Sequence, residues 1–252
     1  MTVLYGPEHV DYGALEGVVA ARGVALAISR GLHPKPYRWT DPNEDAVAAV
    51  AGPRATLLVV ADAHNGALSS QVAVRTVLEE LTDDPPPELD DTALVALFHR
   101  VSAAVLVATR ETADEERRES RTTLSLALVS GRRLCWAAMG DSPVLVAEGD
   151  VGLELTRGDH AFVGWPMTAA RVDRLLQRGR GSLGRGAWVA LTSDGFSNFC
   201  DPSAAAAAAK LLADAPDALS GARGLLEHAF ASGAGDNVAA VVVAPPALAA
   251  GA

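Results

Sequence analysis

The sequence predicts one α+β domain in which two β-sheets pack face to face with helices outside. Three observations predict it. Short apolar, strand-like runs stand near both ends of the chain. Paired helical stretches separate and follow them. Strict strand–helix alternation, the mark of a doubly wound parallel sheet, is absent. The 252 residues contain no internal repeat and no long linker, so a single domain over 1–252 is expected. Its core runs from about 24 to 243, and residues 244–252 form a frayed tail.

The elements follow in order. Val24–Ser29 (VALAIS) is a short apolar strand, followed by a Pro-rich polar loop from His33 to Asp45. Ala55–Ala61 (ATLLVVA) reads as a buried strand. Ser69–Leu81 carries apolar residues at helical spacing, and Asp83–Asp91 is an acidic, Pro-rich surface loop. Asp91 and Thr92 offer an N-cap for a second helix reaching about Thr112. Thr122–Val129, Arg133–Met139 and Val144–Ala147 read as strands, with Ser130-Gly131 as a hairpin turn. Gly149-Asp150 turns the chain into Gly152–Leu155, and Ala187–Thr192 is a further strand. Helices within Pro202–Asp214 and Asp217–Ser232 precede a last strand, Asn237–Val243.

Composition narrows the function classes. Hydrophobic residues make up 49% and aromatics only 5%, so Ala, Val and Leu must fill the core. The formal net charge of −10 argues against a nucleic-acid partner, which calls for a basic surface. The run Glu115–Arg121 (EERRESR) is mixed in sign and fits a solvated helix end. Cys135 and Cys200 cannot build a disulfide framework, and no zinc-ligand spacing occurs, so a reducing cytoplasm is the expected location. The N-terminus lacks the basic-then-apolar pattern of a signal peptide. No stretch is expected to reach the roughly 18 apolar residues of a membrane span.

Acidic residues recur at strand ends. Asp62 follows LLVVA, Asp141 follows LCWAAMG, Asp194 follows WVALTS, and Asp236 precedes the final strand. Glu44 and Asp45 close the polar loop. A carboxylate against a buried strand is costly unless it is hydrogen-bonded or bound to metal. One such Asp is commonly a cap or turn residue. Four, each beside an apolar strand and near Gly, suggest a shared site for hard cations such as Mg²⁺ or Mn²⁺.

Six segments together resemble a known family. They are Asn43-Glu44-Asp45, Val60-Ala61-Asp62-Ala63-His64-Asn65-Gly66, Ser120-Arg121-Thr122-Thr123, Met139-Gly140-Asp141-Ser142, Leu191-Thr192-Ser193-Asp194-Gly195 and Gly235-Asp236-Asn237. Their order and spacing are similar to those of the metal-dependent protein phosphatases of the 2C type, from about Val24 to Val243. The resemblance implies a β-sandwich of two mainly antiparallel sheets flanked by helices, in four layers α-β-β-α. It implies hydrolysis of phosphoserine and phosphothreonine esters by a metal-bridging hydroxide, with two or three Mn²⁺ or Mg²⁺ ions. Asp62 would bridge two ions, the Ala63 carbonyl would bind the second, and Asp194 and Asp236 would complete the first. Glu44 and Asp45 would hold metal-bound waters, and Asp141 with Asp194 a third ion. His64 stands where some members carry a general acid. Arg38, near the Asn-Glu-Asp segment though not at the family's offset, is the candidate for the substrate phosphate. The implied partner is a phosphorylated protein, such as a kinase-regulated signalling protein, with no nucleic acid and no membrane.

The chain departs from the family at Ala63, where glycine is usual, and at Asn65. Ala resists a left-handed backbone, so a positive φ at position 63 would strain the site. These departures motivate an alternative, a catalytically impaired pseudophosphatase that binds phosphoproteins. Gly140-Asp141-Ser142 also suggests a serine hydrolase, but no downstream Asp-x-x-His accompanies it. Phe162–Gly186 replaces the family's flap and is basic, fitting either an attractor of acidic partners or a helix with a solvated face.

Overall fold

A computed structural model of the chain describes residues 1–35, 41–81 and 84–245. Along the chain run β1 (Thr2–Tyr5), β2 (Glu16–Ala21), β3 (Val24–Ser29), β4 (Asp45–Ala51) and β5 (Thr56–His64), then α1 (Leu68–Leu81) and α2 (Asp91–Glu111). Next come β6 (Arg121–Thr122), β7 (Leu124–Ser130), β8 (Arg133–Met139), β9 (Val144–Glu148), β10 (Val151–Glu154), α3 (Ala169–Leu175), β11 (Gln177–Ser182) and β12 (Trp188–Thr192). The chain continues through α4 (Asp194–Ser197), α5 (Ala204–Ala213), α6 (Ala218–Ala231) and β13 (Val238–Val243).

Two antiparallel sheets result. One has the order β1-β4-β5-β7-β8-β11, with β6 paired to β5, and the other β10-β9-β12-β13-β3-β2. Alternation along each central strand divides its residues between two apolar layers. On β4 and β5, Ala46, Ala48, Leu57 and Val59 pack toward α1 and α2, with Val74, Leu94 and Phe98. Their neighbours Val47, Ala49, Leu58 and Val60 pack between the sheets against Leu26, Leu191 and Val241. A third layer, including Ala190, Ala208, Leu225 and Val242, joins the second sheet to α5 and α6. These three interfaces make the predicted α-β-β-α sandwich.

Several expectations change. The chain before Val24, outside the expected core, supplies β1 and the outer strand β2. The strand β4 was hidden because DAVAAVA reads as Ala-rich composition; burial on both faces, which propensity does not register, makes it a strand. Strand β5 extends past Ala61 to His64 and takes Asp62 and Ala63 into the sheet. The N-cap of α2 is Asp90, whose side chain accepts from Ala93 N at 2.7 Å. The basic segment after Phe162 is not one helix. It folds into α3 and β11, and Arg178 and Arg180 pair with Asp91, Asp173 and Glu88. By length and apolar content α2 is a candidate membrane span, contrary to expectation. Its face Leu94, Leu97, Phe98, Val101 and Val105 is nevertheless buried against the first sheet, as in a core helix.

Candidate metal centre

The apolar layer between the sheets ends in acid. Register pairs Asp45 on β4 with Asp62 on β5, directly opposed. Both continue the alternation of Val47, Leu58 and Val60, so they lie at one end of the inter-sheet face. From the second sheet, β12 runs into Asp194 and β13 starts just after Asp236. These two segments approach closely because residue 195 is glycine; a Cβ there would collide with the Asn237 carbonyl.

Hydrogen bonds fix the segments. Asn237 Oδ1 accepts from Glu44 N at 2.9 Å, and its Nδ2 donates to the carbonyls of Arg30 (3.0 Å) and Pro42 (3.1 Å). One side chain thus ties the Asn-Glu-Asp segment to the other sheet. Asp62 is gripped through its backbone: its N–H donates to Thr123 Oγ1 at 3.1 Å, and its carbonyl accepts from Thr122 Oγ1 at 2.9 Å. Glu44 accepts from Gly66 N, and Asn198 Nδ2 donates to Asp194 Oδ2 at 3.0 Å.

The electrostatics are those of crowded acids. Burial pushes the Asp45 carboxyl up to about 7, against the opposing pull of Lys35. Burial, then the charges of Asp45 and Asp236, holds Asp62 well above the usual carboxylate range. Asp194 is raised by burial and then by Asp62 and Asp236. Asp62 and Asp194 also act on one another, Asp194 lowering Asp62 and Asp62 raising Asp194. Burial also raises Glu44 and Asp141. Into this cluster Lys35 projects a buried ammonium, 2.9 Å from Asp236 Oδ1 and 3.2 Å from Glu44 Oε2.

The structure therefore brings together Glu44, Asp45, Asp62, Asp194 and Asp236, with Asp141 and His64 close enough to act on each other's charge. Arg38 lies outside the described residues. Among those residues, no three of the side chains are grouped as a finished metal site; Lys35 bridges Glu44 and Asp236 instead. The donor set nonetheless fits a hard divalent cation. Both carboxylate oxygens of Asp45 and Oδ1 of Asp141 are buried with no hydrogen-bond partner among the described residues.

The strain expected at Ala63 does not arise. Ala63 lies within β5, paired with Thr122, and the positive φ falls two residues later, on Asn65 (63°). Asn is among the residues that best tolerate this conformation. The serine-hydrolase alternative finds no support at Ser142, which is fully buried and bonded to Thr123 Oγ1 at 2.7 Å. Sequence reasoning missed Lys35 and the bracing role of Asn237. A signal existed for the first: Lys35 is one of only two lysines in an arginine-rich chain.

The inter-sheet layer of the sandwich thus ends in a cluster of carboxylates. The protein phosphatase 2C family model matches residues 36–227. The chain belongs to the protein phosphatase 2C family. A bacterial serine phosphatase bearing an R161A mutation superposes with TM-score 0.72 at 18% identity, covering 89% of this chain and 99% of that one. The catalytic domain of the serine/threonine phosphatase PstP in complex with two manganese ions gives TM-score 0.67 at 21% identity, covering 92% and 99%. PppA of Pseudomonas aeruginosa, a regulatory component of a type VI secretion system, gives 0.61 at 21% identity, covering 93% and 98%. No curated protein sequence matches.

Proposed function

We propose that the chain hydrolyses phosphoserine and phosphothreonine esters of proteins with the help of two divalent cations. The observation that carries this reading is the convergence of the buried Asp45 and Asp62 with the partly exposed Asp194, all with raised carboxyl pKa values, at one end of a 2C-family sandwich. Asp62, Asp194 and Asp236, with the Ala63 carbonyl, would hold the cations, and Glu44, Asp45 and Asp141 would support them. When bound, such ions supply a water that ionises near neutral pH and offset charge on the phosphoryl oxygens. The manganese in the PstP complex makes Mn²⁺ the first ion to try.

The chain's own residues supply orientation and a proton. Asn237 holds the Glu44–Asp45 segment in register with Asp236. His64 packs edge-on against Phe162, with ring centroids 5.2 Å apart. Burial, then the charges of Lys35 and Arg121, lowers its pKa and so favours the neutral ring. The entering phosphoryl dianion favours the imidazolium, which can then protonate the leaving alkoxide.

Phosphate release from p-nitrophenyl phosphate and a phosphothreonine peptide, with Mn²⁺, Mg²⁺ or EDTA, tests the reading. Turnover is expected with metal, and is suppressed by EDTA and by Asp194→Asn. A second reading, a phosphoprotein-binding member without turnover, is favoured by the seat of Lys35 inside the carboxylate cluster. Calorimetric Mn²⁺ binding without release of phosphate from either substrate would select it.

A further inference from the structure

Beside the acidic cluster lies a groove of the opposite sign. It has a volume of about 280 Å³ and is lined by Leu106, Arg110, Arg118, Glu119, Arg121 and Trp165, among others. Three arginines face one glutamate there, in a chain whose formal net charge is −10. The groove adjoins the site through the sheet: in the β5–β6 pair, Arg121 is the register partner of His64, and Thr122 that of Ala63.

Arg121 is held in place without being neutralised. Its guanidinium lies 5.1 Å from the Phe162 ring and 5.9 Å from Trp165. No carboxylate among the described residues pairs with it, and its Nε is buried without a hydrogen-bond partner among them. A guanidinium with no carboxylate partner can receive a ligand carboxylate at its terminal nitrogens in a charge-assisted hydrogen bond. Two arginines of the basic segment after Phe162, Arg178 and Arg180, are by contrast paired several times over. The aromatic walls fix the fork of Arg121, so little rotamer freedom is lost when an anion arrives. Trp165, 39% exposed, offers a flat apolar surface for the adjoining polypeptide.

We propose that this groove binds the polypeptide flanking the phosphorylated residue, and that Arg121 receives an acidic side chain of that segment. The occupant's identity rests on the phosphatase reading; the preference for a carboxylate rests on the groove alone. Fluorescence anisotropy of the full chain in EDTA compares two unphosphorylated, threonine-centred peptides that differ only in carrying Glu or Gln beside the threonine. The Glu peptide should bind about tenfold more tightly to the native sequence. In Arg121→Gln the difference should vanish, and in Arg121→Lys, which keeps charge but loses the fork, it should shrink. Equal affinities in the native protein, a comparison that needs no variant to fold, overturn the proposal. So does a preference that survives in a folded Arg121→Gln. Absence of phosphate release from p-nitrophenyl phosphate would sink the phosphatase reading and leave this comparison standing.

Discussion

Asp45 and Asp62 face one another as register partners on adjacent strands at the end of an otherwise apolar inter-sheet layer. Like charges directly opposed across a sheet are destabilising. Here burial raises the pKa of both carboxyls, and the charge of Lys35 opposes that rise on each. A cation of the chain itself, Lys35, sits among these acids.

Asp45→Asn removes a buried carboxylate whose two oxygens have no partner among the described residues. In metal-free protein at pH 8 it should raise the melting temperature, by about 2–4 °C for each kcal/mol of strain relieved. Mn²⁺ affinity measured by calorimetry should fall in the same variant. A variant less stable than the native chain in EDTA would show that the carboxylate is not a liability in the fold.

The pH dependence of stability follows from the same residue. Asp45 titrates near 7 when folded and near 3.8 when unfolded, so between these values the folded chain binds the extra proton. Its contribution is fully present below 3.8 and lost as pH rises through about 7. Metal-free protein should therefore lose stability across that window relative to Asp45→Asn. Mn²⁺ reverses the trend, because the ion needs the carboxylates deprotonated; its affinity should drop about tenfold per pH unit for each proton displaced. Melting curves from pH 4 to 8, with EDTA and with Mn²⁺, measure both slopes.

Much of this site was legible in the sequence, and the exceptions have physical causes. The acids stood out because a charged residue abutting LLVVA or WVALTS has no apolar excuse. Strand β4 did not, because a run of Ala and Val carries little periodic contrast, and only the helices on one face and the second sheet on the other bury it. Lys35 sits in a loop with no periodicity, and its meaning comes from contacts with Glu44, nine residues away, and Asp236, 201 residues away. The left-handed turn fell on Asn65 rather than Ala63 because β5 runs on to His64, and strand ends are poorly marked by pattern alone.

Lys35→Met removes the internal competitor for the cluster. Mn²⁺ should bind about tenfold more tightly, by the loss of one charge–charge interaction of ordinary size. Metal-free protein should melt lower, because Glu44 and Asp236 lose their shared cation. The two changes must appear together, in calorimetry and in melting curves taken in EDTA. Unchanged metal affinity would mean that the ammonium moves aside at no cost.

His64→Gln separates proton donation from metal chemistry. A leaving group that departs without a proton, as in p-nitrophenyl phosphate, gains little from a general acid, whereas the alkoxide of phosphothreonine needs one. The substitution should therefore lower kcat on a phosphothreonine peptide by about 10²-fold and change p-nitrophenyl phosphate turnover far less. Because burial and the cations Lys35 and Arg121 lower the His64 pKa, the native rate on the peptide should begin to decline on the acid side of neutrality as pH rises. That decline should be absent in His64→Gln. Equal losses on both substrates would assign His64 to binding or to packing against Phe162, 5.2 Å away, rather than to proton transfer.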